Sequence, residues 1–397
     1  MNKPNFKVKN LVVIGAGTMG NGIAQAALLA KYETTLVDLT KEAVDRGAIK
    51  IEEGVHKLEN KGKLGDQTNT ANIMKRLTTS TDLITAVKDA DFVIEAVPED
   101  LEIKQEVFKK LGNYAPEHTI FASNTSTLLI AKISKFTRKP ERVIGMHFFV
   151  PPIFQSCVEI MRGEKTSNET MEIGFHVADS LPCFNGKRFP VRIEKDTPGF
   201  IANRLLVSQL IYVNWIIDKA YEKGIPFEQI DADAGARVIT PMGPCELADY
   251  LGLDVMYKSM KIFEETLSPD IIPGKVLTTL VSQGKYGKKS GTGLYDWTSG
   301  KPNINLTKKA GLLNLEVILA IQLNEGCKLL EGGIVSGYKV IDDVMVNGPG
   351  MPGPFGIGKR NYDKWSQMLE ELAKEMDKMY LNPCELMKSG AFLKMRK

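Results

Sequence analysis

The chain has 397 residues, 43% of them apolar and 25% charged, with a formal net charge of +3. That length allows two or three domains around a sizeable core, and the mixed charge lacks the basic stripe with interleaved aromatics that nucleic acid requires. No apolar stretch approaches transmembrane length, and the segment before the first strand lacks the apolar region of a signal peptide. The five cysteines (Cys157, Cys183, Cys245, Cys327, Cys384) are scattered, with no CxxC or Cys/His cluster. They read as reduced thiols of a cytoplasmic protein without a metal site or disulfide framework.

The first informative stretch is Leu11 to Leu29, LVVIGAGTMGNGIAQAALL. Four apolar residues run into Gly15-x-Gly17-x-x-Gly20 and then an Ala-rich segment: a buried strand, a tight turn and a helix start. The first glycine makes the turn, the second admits a pyrophosphate to the backbone, and the third lets helix and strand pack. Free N–H groups at the helix start suit phosphate. Asp38 follows the second apolar run, Thr34 to Val37, where an acid binds ribose hydroxyls and repels a 2′-phosphate, which selects NAD over NADP. The alternative is a glycine turn in some other α/β protein.

Residues 41–76 read as two charged helices broken between Gly62 and Thr70, forming an arm with a solvated face. Further strands are expected at Asp91–Val97, Thr119–Ser123, Arg142–Phe149, Ser156–Met161 and Val191–Ile193, with a helix over Leu101–Leu111. Asn124 to Thr127 closes a strand, where open α/β sheets place ligands. Pro151-Pro152 stops the strand at Phe149.

After Asp196-Thr197-Pro198-Gly199-Phe200 the pattern turns helical. Residues 201–222 read as one long helix, apolar on most sides and buried by neighbours. A repeat follows at an offset near 110 residues. Ala220 to Ile225, Ile230-Asp231 and Pro241-Met242-Gly243-Pro244 recur as Leu330 to Ile334, Ile341-Asp342 and Met351-Pro352-Gly353-Pro354. Three matches in register indicate a duplicated helical unit, the copies separated by a linker from Asp296 to Leu306. The expected architecture is an α/β Rossmann-type domain with a helical arm (1–195), an all-α helical domain (196–297) and a second helical repeat (298–397).

Oxidising an alcohol with a nicotinamide requires a base for the hydroxyl proton, and histidine titrates in the right range. Of the four histidines, His147 lies near a strand end in GMHFF, and Glu159 on the next strand-like segment can orient it. The competing reading is a satisfied core histidine beside an aromatic pair.

At this point the ordered motifs VIGAGTMGNGIAQ, IEAVPEDLEIK, FASNTSTL, GMHFFVPP, CVEIM, DTPGFIANRLL, PMGPCELADYLGLD and YGKKSGTGLYDW can be read together. Over residues 10 to about 297 the chain resembles the (S)-3-hydroxyacyl-CoA dehydrogenase family, including 3-hydroxybutyryl-CoA dehydrogenases. The resemblance implies NAD as cofactor and an acyl-CoA substrate, with His147 as base and Glu159 as its partner. It implies Ser126 and Asn203 at the substrate's 3-oxygen. Cofactor contacts would come from Gly15, Gly17, Thr18, Met19, Gly20, Asp38, Ser126, Glu99 and Lys104, the last two around the adenosine-side ribose and the nicotinamide half. Lys61 on the arm would meet the CoA end. The family reads HFFNP where this chain has Val150, so slower or retuned turnover is expected. Long forms of the family carry such a helical repeat, and a monomer or homodimer is expected. Two alternatives stand beside this reading: an L-gulonate 3-dehydrogenase on the same scaffold, and a non-catalytic NAD-binding protein like the crystallins derived from this fold.

Overall fold

The computed structural model describes residues 7–65, 68–235 and 242–397. Their contacts divide into two compact units, one running to Phe200 and including Asn347–Pro349, the other comprising 201–346 and 350–397.

The first unit is built on an eight-stranded sheet in the order β3-β2-β1-β4-β5-β6-β7-β8. Strands β1 (Asn10–Ile14), β2 (Glu33–Val37), β3 (Leu77–Ser80), β4 (Phe92–Glu95), β5 (Ile120–Ser123) and β6 (Val143–Phe148) run parallel. β7 (Cys157–Arg162) is antiparallel to β6, and β8 (Phe189–Ile193) pairs parallel with β7. β1, β4 and β5 are buried almost throughout, as strands covered on both faces must be. Helix α1 (Thr18–Leu29) packs through Ile23, Ala24, Ala27 and Leu28.

The expected arm is present as α2 (Lys41–Asn60), N-capped by Thr40, and the short α3 (Thr70–Met74), N-capped by Asn69. Part of the break between them, residues 66–67, lies outside the described residues. α4 (Leu83–Ala86), α5 (Leu101–Tyr114), α6 (Ile130–Ile133) and α7 (Asn168–Ser180) complete the unit.

Two expectations need correction. β3 was not foreseen, because Leu77-Thr78-Thr79-Ser80 is a half-exposed edge strand with no apolar run. The single helix over 201–222 is two: α8 (Ala202–Ser208) and α9 (Leu210–Glu222), meeting at Gln209. The Gln209 side chain accepts a hydrogen bond from Gln322 at 2.6 Å, a polar anchor inside an otherwise apolar pattern.

The helical unit continues through α10 (Phe227–Asp233), α11 (Pro244–Leu251), α12 (Leu253–Thr266), α13 (Lys275–Ser282), α14 (Leu315–Glu331), α15 (Tyr338–Asn347), α16 (Pro354–Met376) and α17 (Glu385–Ser389). The repeated motifs adopt matching geometry. α9 and α14 both end in a left-handed glycine, Gly224 (φ 63°) and Gly333 (φ 61°). Ile225 N–H then reaches back to Ala220 O, and Ile334 N–H to Leu329 O, a Schellman-type close that favours glycine. Asp231 accepts from the N–H groups of Cys245 and Glu246 at the start of α11, and Asp342 from Phe355 N–H at the start of α16. Each aspartate packs against the glycine preceding its helix, Gly243 or Gly353, where a Cβ would collide with it. Pro241 of the first copy lies outside the described residues.

α14 packs between α8 and α16. At its centre Glu325 accepts from Arg204 (2.9 Å), Tyr380 (2.6 Å) and Lys328 (2.8 Å). Burial alone would raise this carboxyl's pKa, but Lys328 and Arg204 outweigh it and hold the value down at about 2. Among the described residues no helix is long and apolar enough to cross a membrane, and no group of three potential ligands could hold a metal ion.

Candidate active site

The parallel strands place the ends of β1, β2, β4, β5 and β6 along one edge, where open α/β sheets bind ligands. At the end of β1 the glycine turn is very tight. Gly15 has φ 101°, and a Cβ there would lie 2.5 Å from Ala96 O; one on Gly20 would lie 1.7 Å from Gly15 O. A Cβ on Gly17 would meet nothing within 4 Å, and Gly17 and Thr18 are exposed with Met19 half-buried. Gly17 starts α1 without a side-chain acceptor for the first N–H groups. The turn is therefore open on the side from which a pyrophosphate approaches a helix N-terminus. Asp38 sits at its mouth, accepting from Ala16 N–H (2.6 Å) and Leu39 N–H (2.7 Å). This residue set fits a dinucleotide.

At the end of β4, the strand beside β1, a buried ionic cluster supports the next loop. Lys104 is 1% exposed, with its ammonium 2.7 Å from Glu95 and 3.4 Å from Glu99. Ser123 and Val97 N–H also donate to Glu95. Glu99 Oε1 gathers the hydroxyls of Thr125 and Thr127 and the N–H groups of Ser126 and Thr127. Burial raises the Glu99 carboxyl, but Lys104 and these donors outweigh it, so its pKa is lowered. Burial likewise lowers Lys104, and Glu95 and Glu99 reverse the sign. Glu99 and Lys104 thus brace the loop that carries Ser126. Glu95 was not singled out from the sequence, although a carboxylate inside the apolar run FVIEAV was a legible signal.

His147 and Glu159 are direct register partners across β6 and β7. Facing residues of an antiparallel pair project on the same side of the sheet. His147 Nδ1 lies 2.6 Å from Glu159 Oε2, with the two side chains 6% and 0% exposed. The imidazole meets Phe149 edge-on, centroids 4.8 Å apart, and Phe200 at 5.2 Å. Phe200 is held at φ 56°, a left-handed conformation that costs a bulky residue about 1–3 kcal/mol, and its ring packs over Gly145. Asn124 Oδ1 accepts Phe148 N–H at 2.9 Å, tying the Ser126 loop to the strand bearing His147. Asp196 caps α6 through the N–H groups of Ile130 and Ala131.

The first unit therefore holds the glycine turn, Asp38, Ser126, His147 and Glu159 together. Lys61 ends α2 and is exposed. Val150 is 58% exposed. Asn203 lies on α8 of the helical unit.

Residues 10–197 match the model of the 3-hydroxyacyl-CoA dehydrogenase NAD binding domain, and residues 199–297 that of the C-terminal domain of the same family. The mitochondrial hydroxyacyl-coenzyme A dehydrogenase of Sus scrofa is 39% identical over 298 residues, 73% of this chain and 91% of the relative. The chain belongs to the 3-hydroxyacyl-CoA dehydrogenase family. A probable 3-hydroxybutyryl-CoA dehydrogenase of Bacillus subtilis is 37% identical over 293 residues, 74% of this chain and 98% of that one. The crystal structure of the 3-hydroxybutyryl-CoA dehydrogenase of Escherichia coli K12 superposes with a TM-score of 0.82 at 27% identity, covering 98% of this chain and 99% of that one. The architecture is thus shared along the whole length, including residues beyond 297. Family membership gives the glycine turn its cofactor, NAD.

Proposed function

We propose that the chain catalyses the NAD-dependent oxidation of (S)-3-hydroxyacyl-CoA thioesters, short-chain ones first, and the reverse reduction. The observation that carries this reading is the buried 2.6 Å His147–Glu159 contact on the edge where β1 ends in the glycine turn. Glu159 engages Nδ1, fixes the tautomer and steadies the imidazolium. Proton transfer to and from the 3-oxygen falls to the other ring nitrogen, Nε2. Ser126, braced by Glu99, serves as a polar contact for that oxygen, and Lys61 as a cation for the CoA end. NAD, when bound at the glycine turn, supplies the hydride acceptor. The aromatic walls Phe149 and Phe200 limit solvent around the imidazole, where electrostatic interactions are then stronger. The names of the Bacillus subtilis and Escherichia coli relatives support a C4 substrate. The protein is read as cytoplasmic and as a monomer or homodimer, the latter decided by sedimentation.

The test is reduction of acetoacetyl-CoA followed by NADH absorbance, with NADPH, longer 3-ketoacyl-CoAs and L-gulonate oxidation alongside. NADH-linked turnover of the C4 thioester is expected. Turnover of L-gulonate alone, or tight NAD binding with no turnover of any CoA thioester, overturns the reading.

A further inference from the structure

Three residues from far along the chain belong to the first unit by their contacts: Asn347, Gly348 and Pro349, at the corner after α15. They lie outside both family-model matches, which end at residue 297. Ser156, in the loop between β6 and β7, donates to Asn347 Oδ1 at 3.1 Å. Gly348 is buried against the Phe149 ring. A Cβ built on it would lie 2.6 Å from Cζ, 2.7 Å from Cε2 and 2.9 Å from Cε1. Only a glycine permits that approach. The same Phe149 ring also meets the His147 imidazole, edge-on at 4.8 Å.

We propose that Gly348, held by the Asn347–Ser156 hydrogen bond, is a positioning residue for His147 acting through Phe149. This rests on the reading of His147 as the proton-transferring group. The imidazole is fixed on one side by Glu159 at Nδ1, on a second by Phe200, and on a third by Phe149. Phe149 is only half-buried and follows the strand end, so its own backbone does not determine its rotamer. Gly348 supplies the missing wall. Close-packed contacts transmit displacement instead of absorbing it, so a methyl added at Gly348 displaces a ring that is in contact with the imidazole. The relatives covering about three quarters of the chain share the dyad's domain, whereas this backing comes from the added C-terminal segment.

The experiment compares Gly348→Ala with Gly356→Ala, a control where a Cβ meets nothing within 4 Å. Acetoacetyl-CoA reduction is measured at saturating NADH, together with the KM for NADH and the thermal midpoint. Gly348→Ala is expected to lower kcat about 10- to 100-fold, the scale of an ångström-level misplacement, with the KM for NADH unchanged and the control at wild-type rate. In Phe149→Leu/Gly348→Ala, where the smaller side chain leaves room, kcat returns to that of Phe149→Leu alone. Failure of that rescue, or a lower midpoint with unchanged kcat per folded molecule, overturns the proposal. If Gly348→Ala does not fold, Asn347→Ala removes the tether and should lower kcat about two- to tenfold, the worth of one hydrogen bond; an unchanged kcat refutes the proposal. If the wild type turns over no CoA thioester, the functional reading has failed on its own account. Positioning is then read from the His147 ring resonances and their pH titration, which must shift in Gly348→Ala; identical titrations overturn it.

Discussion

Replacing Glu159 by glutamine is the sharpest perturbation of the dyad, because it keeps the shape and removes the charge. The carboxylate is fully buried and 2.6 Å from Nδ1. Charge on both groups is delocalised, so the centres lie about 4–5 Å apart, and an effective dielectric of about 20 gives a gross imidazolium stabilisation of about 3–4 kcal/mol. At 1.36 kcal/mol per decade, that is a loss of a few hundredfold, to about a thousandfold, in any step whose transition state carries an imidazolium. The amide can also donate to Nδ1 and favour the wrong tautomer, an effect that brings comparable dyads to about 10⁴. The expected fall in kcat for acetoacetyl-CoA reduction is therefore about 10²–10⁴-fold. NADH affinity, measured by fluorescence, should stay within about twofold, since the glycine turn and Asp38 are untouched. A kcat within threefold of wild type would refute the assignment of Glu159, and an equal loss of NADH binding would show that the pair supports the fold and not the reaction.

Three further outcomes follow from the same contacts. Asp38→Ala removes the acceptor for Ala16 and Leu39 N–H along with the ribose carboxylate; the KM for NADH should rise about 10- to 100-fold, and the preference over NADPH should shrink, in steady-state kinetics with both cofactors. Lys104→Met leaves the buried Glu95 carboxylate without its ammonium partner and should cost about 3–5 kcal/mol, seen as a lowered unfolding midpoint at neutral pH. Glu325 has a folded pKa of about 2 against an ordinary 4.5. Its stabilisation is therefore complete above pH 4.5 and is lost as pH falls through 2, amounting to about 3 kcal/mol. Thermal midpoints of Glu325→Gln should flatten across that window relative to wild type; an unchanged slope contradicts the role of the Arg204–Glu325–Lys328 cluster.

The parts of the fold and site that could be read in the sequence were those written in local pattern. Gly15-x-Gly17-x-x-Gly20 between an apolar run and an Ala-rich segment specifies strand, turn and helix by backbone requirement alone. His147 and Glu159 were legible because each sits in a short apolar run on either side of a Pro-Pro stop, so a hairpin was the economical connection. What escaped depended on tertiary partners. Leu77–Ser80 becomes a strand only because β2 offers an edge. The roles of Lys104 and Glu99 follow from their ion pair and from the Thr125–Thr127 donors, which lie 21 to 28 positions away. Gln209, between α8 and α9, finds its side-chain partner in Gln322, more than a hundred residues on. Gly348 reads as one more corner glycine until the Phe149 ring is seen against it.

The antiparallel pairing of β6 and β7 has a bearing on how this chain tolerates change. Neighbours among the first six strands are parallel and must be joined by crossovers, so lengthening a crossover shifts solvent-facing helices and leaves the strands in place. His147 and Glu159 are joined instead by the loop of residues 149–156 and lie 12 positions apart. Insertions in crossovers that carry none of the site residues should therefore leave the His147–Glu159 contact in place. A single-residue deletion inside β7 is different: it moves Glu159 to the opposite face of the sheet, stranding His147 without its carboxylate while leaving the sheet itself largely intact. The His147–Glu159 contact thus depends on the register of one hairpin and not on the length of the crossovers around it.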